Sequence, residues 1–269
     1  MNMPSRRRHL GSTGPRLLGA TAVAFVTLAC SSSATDVAAN PDEVETQLPP
    51  DAPAQDISSL LDQFASNLEL STDGDWVVIR SDGVPDHDSP YFANGDPRHT
   101  PYDGDNPNFQ LNPNRISAGQ ITYRIPRIPQ EASTKEATPL GPIGVAVNGV
   151  AIYNQYAGPN RPLTFEIDSF DQFNGHPQQT GQYHYHIEPL SITGSSGKDT
   201  VIGLLLDGYP VYGPFEGGRL VTNADLDAYH GHYGATADFP DGIYHYHVTS
   251  EDPYINGNGF FGVAGTRSN

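Results

Sequence analysis

Tyr183-His184-Tyr185-His186 recurs as Tyr244-His245-Tyr246-His247. In a β-strand residues i and i+2 share a face, so each tetrad sets two imidazoles on one side and two phenols on the other. Neighbouring imidazoles on one face are a ready pair of nitrogen ligands for a metal ion. The chain has 10 histidines in 269 residues, so two identical alternating strings are a patterned use of a scarce residue.

The tetrads close two copies of a longer unit. Ile143-Gly144-Val145-Ala146-Val147-Asn148-Gly149-Val150-Ala151-Ile152-Tyr153 opens the first, and Ile202-Gly203-Leu204-Leu205-Leu206-Asp207-Gly208-Tyr209-Pro210-Val211-Tyr212 the second. Each is an apolar run, an Asn-Gly or Asp-Gly, and a second apolar run, which predicts a hairpin with a type I′ turn. Asp171-Gln172-Phe173-Asn174-Gly175-His176 then matches Asp227-Ala228-Tyr229-His230-Gly231-His232. The order is kept in both copies, so the chain reads as internally duplicated, near 143–188 and 202–249. Segments 166–173 and 222–229 read as short helical turns.

The Gly-His adds a third imidazole to each tetrad. His176, His184 and His186 form one candidate ligand set, and His232, His245 and His247 the other. Three histidines with an open fourth position suit catalytic zinc and also Cu(II), so a divalent transition metal, Zn or Cu, is the expected cofactor. Gly175 and Gly231 are expected to let the backbone turn tightly ahead of the third histidine. Asp171 and Asp227 are expected to orient an imidazole through its second nitrogen, to ligate as a carboxylate in a mixed site, or to cap or hold a turn. Tyr183, Tyr185, Tyr244 and Tyr246 are expected beside the site as packing residues with partnered hydroxyls. His87 and His230 are further candidate ligands. The two sets are expected to face one cleft.

Upstream, Trp76–Ile79 and Gln120–Ile125 read as strands, Ile57–Leu70 as a short amphipathic helix and 129–140 as a surface loop. Residues 88–118 are dense in Asp, Asn, Pro and Gly. Irregular chain of that length in a compact domain is usually functional. Gly194-Ser195-Ser196-Gly197-Lys198 lacks the spacing of a phosphate loop and reads as a linker between the units.

The N-terminus reads as a targeting segment over residues 1–29. Arg6, Arg7, Arg8 and Arg16 precede a short apolar stretch, Leu17–Leu28, that ends in Ala29-Cys30. A small residue before the only cysteine resembles a lipobox, making Cys30 the expected lipidation site and a bacterial membrane the expected partner through the lipid anchor. Residues 30–56 read as a flexible tether, and the protein as exported to the periplasm or cell exterior. Removing the segment takes the net charge from −17 to −21, because it carries four arginines and no acidic residue. That excludes nucleic acid as a partner class. Met1 and Met3 leave with it, and with Cys30 acylated no thiol or thioether remains, so only nitrogen and oxygen metal ligands are left.

The chain resembles the bacterial YHYH family. The resemblance rests on Asp82-Gly83-Val84-Pro85-Asp86-His87, the Asn148-Gly149 hairpin, Gly175-His176-Pro177, both tetrads, and Leu206-Asp207-Gly208-Tyr209-Pro210-Val211-Tyr212-Gly213-Pro214. It implies an exported, often lipid-anchored protein and carries no activity with it.

The expected fold is mainly β, a β-sandwich or distorted barrel with one or two short helices, over residues 57–269. Two functions are compatible with the residues. One is an exported metal-binding protein, possessing an open coordination position that would support an enzyme or an exchange site. The other is a non-catalytic surface module that binds a protein or glycan, with its histidines and tyrosines in a structural network.

Overall fold

A computed structural model describes residues 48–269. The expected signal segment, Cys30 and the part of the expected tether up to residue 47 lie outside these residues. Leu48 already packs against the core, and its amide donates to Glu131. Among the described residues no helix is long and apolar enough to cross a membrane.

The chain is mainly β. The first strands are β1 (Glu69–Asp73), β2 (Trp76–Ser81), β3 (Ile121–Pro126) and β4 (Glu131–Glu136). The first repeat supplies β5 (Gly144–Ala146), β6 (Ala151–Ile152), β7 (Tyr156–Ala157), β8 (Arg161–Pro162), β9 (Gly175–Pro177) and β10 (Tyr183–Tyr185). The second supplies β11 (Val201–Leu205), β12 (Pro210–Tyr212), β13 (Phe215–Glu216), β14 (Arg219–Leu220), β15 (Gly231–Gly234) and β16 (Ile243–His247). The last two are β17 (Phe260–Gly262) and β18 (Thr266–Ser268).

An eight-stranded sheet has the order β15-β16-β12-β11-β5-β6-β10-β9, and a four-stranded sheet the order β1-β2-β3-β18. Both feed one core, in which Val77, Ile79, Tyr123 and Ile125 of the small sheet join Val145, Leu204, Tyr183 and Tyr246 of the large one. Alternation puts the tetrad phenols on this inner face and the imidazoles on the other. Burying apolar surface on this scale is the main driving force for the fold.

The large sheet reads the same from either end. Its halves, β5-β6-β10-β9 and β11-β12-β16-β15, meet where β5 pairs antiparallel with β11. Counting from Asn148 and Asp207, Gly144 corresponds to Gly203 and Ala146 to Leu205. The register pairs Gly203 with Ala146, Leu205 with Gly144, and Leu204 with Val145. The first two pairs are images of each other, so a local twofold axis passes through Val145 and Leu204. Both glycines sit where the strands touch. A Cβ on either would meet a backbone carbonyl of the opposite strand.

Several local expectations are corrected. The hairpin turns are not type I′, because only Gly149 and Gly208 have positive φ. Ala146 accepts from Gly149 and donates to Val150, and Leu205 accepts from Gly208 and donates to Tyr209. These are three-residue loops, a type I turn followed by a glycine bulge. The 57–70 helix shrinks to a 3-10 turn, Ile57–Gln63, capped by the Asp56 carboxylate; beyond it the chain runs into β1. The 129–140 loop contains β4, which pairs with β17. The 194–198 linker overlaps an α-helix, α1 (Leu190–Ser196).

Candidate metal centres

The antiparallel register of β9 and β10 places His176 directly opposite His184, while His186 follows two residues on. The same arrangement sets His232 opposite His245, with His247 at i+2. Strand geometry alone therefore gathers three imidazoles in each repeat. His176 Nε2 lies 3.1 Å from His184 Nε2, which lies 3.1 Å from His186 Nε2. His232 Nε2 lies 3.0 Å from His245 Nε2. In each group the candidate ligand atoms fall within 4.8 Å of one another.

The other ring nitrogens fix the tautomers. His184 Nδ1 donates to the Gln182 carbonyl at 3.2 Å and His186 Nδ1 to the Asn154 carbonyl at 2.5 Å. The Ser169 hydroxyl gives its hydrogen to the Glu166 carbonyl, so its lone pair accepts His176 Nδ1–H at 2.7 Å. Burial disfavours the imidazolium form. It pushes His176 down to about 3, His186 to about 4 and His184 well below the usual range, with neighbouring imidazoles adding to the shift of His176 and His184. Three neutral rings with committed Nδ1–H groups leave three Nε2 lone pairs converging on one point. Ligands 2.0–2.1 Å from a tetrahedral zinc lie about 3.3 Å apart, close to the 3.1 Å of the His176–His184 and His184–His186 pairs. Lone pairs at that spacing repel unless a cation lies between them, so this donor set fits a metal ion.

The second centre repeats this logic and adds a carboxylate. His245 Nδ1 donates to the Ile243 carbonyl and His247 Nδ1 to the Gly213 carbonyl. His247 Nε2 is buried without a hydrogen-bond partner. Glu216 Oε1 lies 3.2 Å from His245 Nε2, and Oε2 lies 3.4 Å from His232 Nε2. The His232 and His245 rings beside it hold the Glu216 carboxyl well below its usual range. Glu216 was not legible from the histidine pattern. It arrives on the β13–β14 hairpin, whose Gly217 and Gly218 both have positive φ, a two-residue turn. The Gly-Gly dipeptide after Glu216 is the signal that would have found the hairpin.

The first centre has no counterpart to Glu216. Asn154 and Gly213 play the same role toward His186 and His247, and three residues further on stand Ala157 and Glu216. Glu166 is the nearest carboxylate, 3.8 Å from His186 Nε2, and burial raises its pKa. All three histidines instead line a cleft of about 900 Å³. Tyr153 stacks on His184 at 3.9 Å. The long 88–118 segment forms part of the wall: Asn112 and Asn114 both donate to the Pro177 carbonyl.

The structure does not bring the remaining candidates to either cluster. His87 lies on the phenol side, its Nε2 3.0 Å from the Tyr185 hydroxyl and its ring against Phe173. His230 Nε2 pairs with Thr249, and its φ of 75° matches the 65° of Asn174. It fills the left-handed corner before Gly231 and is not a ligand. That corner also corrects the reading of the glycines. Positive φ belongs to Asn174 and His230, whereas Gly175 and Gly231 make room for the Tyr183 and Tyr244 rings packed on them.

Asp171 and Asp227 do not touch an imidazole nitrogen. Each accepts from backbone amides of its own turn and from a tetrad tyrosine: Tyr183 at 2.8 Å and Tyr244 at 3.0 Å. The second tyrosine of each tetrad reaches the hairpin turn, where Tyr185 meets Asn148 and Tyr246 meets Asp207. The phenols thus tie three loop elements of each repeat together beneath the histidines. The two centres lie on β9–β10 and β15–β16, at opposite ends of the large sheet. Five strand spacings separate β10 from β16, about 24 Å along the sheet. The expected shared cleft is therefore replaced by two separate centres.

No curated protein and no solved structure matches the chain. A family model described as YHYH protein matches residues 122–217 and 215–259, which span both repeats and both tetrads. With more than half its length covered, the chain belongs to the YHYH protein family.

Proposed function

We propose that this is an exported, Cys30-anchored metalloprotein with two unlike sites for divalent Zn or Cu. The observation that carries this reading is the convergence of three Nε2 lone pairs whose rings have already committed their Nδ1 protons. The Glu216-His232-His245-His247 site offers four ligands and would be closed, as structural zinc sites are. The His176-His184-His186 site offers three and faces a cleft, leaving room for water or an exchanging ligand. A metal held there by His176, His184 and His186 would supply the chemistry of metal-assisted hydrolysis, lowering the pKa of water in the open position. The first centre is then the reactive one, and the second holds its half of the sheet in shape.

The test is metal analysis of protein purified without a histidine tag. Two equivalents are expected, with His184→Ala and His245→Ala each losing one. Chelator should remove the metals in two phases, and Glu216→Ala should speed the slow one. Absence of stoichiometric transition metal, or no change in either histidine variant, sinks the reading.

A further inference from the structure

Seven large apolar side chains are exposed among the described residues, and four of them line one cleft. These are Leu111, Leu140, Tyr156 and Phe165, the last 87 % exposed. They surround the opening above His176, His184 and His186. Scattered apolar residues on a surface are ordinary, but a cluster around a concave opening marks a binding site. The volume of about 900 Å³ falls within the range of ligand pockets.

Charge narrows the ligand. Glu166 and Asp168 line the cleft, and no lysine or arginine does. Arg115 stands beside it but turns back to the carbonyls of Asn112 and Asn114, and the Arg267 guanidinium lies against Gly141 of the wall without lining the cleft itself. A dication at the first centre would be balanced by these two carboxylates, so an acidic side chain on the rim would meet no net positive charge, whereas a basic one would meet the carboxylates directly. The rim chemistry narrows it again. Tyr156 and Phe165 offer flat faces that a sugar ring or an apolar side chain could cover. Leu111 and Leu140 are branched aliphatics without a flat face, which suit the side chains of a peptide. Asn112 and Asn114 each spend one amide N–H on Pro177, and the Gln178 amide donates to Thr180 and Gln182, so the hydrogen-bonding capacity that polyhydroxyl recognition needs is partly used.

We infer that the cleft binds a short, extended peptide segment with apolar side chains, uncharged or basic and not acidic, beside the first metal centre. The inference rests on the proposed metal reading, because it places the peptide over that centre. Phe165 and Leu140 hold the apolar side chains, and Glu166 and Asp168 select against acidic ones.

The experiment is calorimetric titration of zinc-loaded, tag-free protein with N-acetylated tetrapeptide amides. One carries Leu and Phe, a second adds Lys and a third adds Glu; a neutral glucose tetramer is the fourth probe. The apolar and Lys peptides should bind, and the Glu peptide should bind about tenfold more weakly. Phe165→Ser combined with Leu140→Ser should weaken binding by a further factor of about ten, whereas Ile128→Ser, exposed but outside the cleft, should not. Binding of the tetramer in place of peptide, no peptide binding, or equal effects of the Phe165/Leu140 and Ile128 variants would overturn the inference. Zinc content is measured on the same samples. Two equivalents of zinc without peptide binding overturns this inference alone, and protein that takes up no zinc overturns the metal reading with it.

Discussion

The Tyr246 hydroxyl donates to the buried Asp207 carboxylate at 2.6 Å, so the phenol of a tetrad strand anchors the turn of a hairpin 39 residues earlier. The same oxygen, Asp207 Oδ2, also accepts from the Gly262 amide. Burial raises the Asp207 carboxyl to about 6, and these donors stop it rising further.

Tyr246→Phe removes a donor from a buried carboxylate and keeps the ring. Loss of about 1–3 kcal/mol in chemical denaturation is expected, since the acceptor stays behind unsatisfied. The metal content of the folded variant should be unchanged. A drop in metal content without a loss of stability would place the phenol in the site.

Gly175→Ala and Gly231→Ala test the packing of the tetrad rings. An added Cβ collides with the Tyr183 or Tyr244 ring, so either change should cost about 1–3 kcal/mol by overpacking. Gly158→Ala, where an added Cβ meets nothing, is the control for thermal unfolding.

Ser169→Ala removes the acceptor that orients His176. Partners of this kind commonly contribute roughly 10–100-fold to metal affinity, and that loss is expected at the first centre only. Competition with a chromogenic chelator would show it as a change in the fast-releasing metal.

Acid sensitivity follows from buried neutral histidines. Burial lowers His230 from 6.5 to about 4, so below pH 6.5 the unfolded chain takes up a proton that the folded chain refuses until about pH 4. Stability is therefore full above pH 6.5 and falls as pH drops through that window, by about 3 kcal/mol for this group alone. Asp207 acts in the opposite direction, because its raised pKa makes stability fall as pH rises from 3.8 to about 6. His230→Asn, using the residue that fills the same corner in the first repeat, isolates the histidine contribution. The variant should lose a constant amount from the Thr249 contact and show a flatter acid limb in urea titrations between pH 7 and 4. A limb as steep as the parent's would remove His230 from the account.

The mainly β, duplicated character was legible because strand alternation and repetition are local signals that survive in one sequence. The six clustered histidines were legible for the same reason: each depends on a position within a repeat. Glu216 was hidden because it breaks the repeat, standing where the first copy has Ala157. His87 and His230 were misleading because composition cannot say on which face of a strand a loop will deliver a side chain. The separation of the two centres depends on how β5 meets β11, a pairing between repeats that no motif encodes. Strand β4 lacked the apolar alternation of a core strand because only Ala132 of its six residues is buried.

The twofold axis through Val145 and Leu204 is the symmetry of a homodimer written into one polypeptide. Two identical subunits meeting edge to edge would be bound to carry identical sites, since every substitution appears twice. A single chain is free of that constraint. It can keep one half as scaffold and let the other specialise, and the two copies differ in this way where the first has Ala157 and the second Glu216.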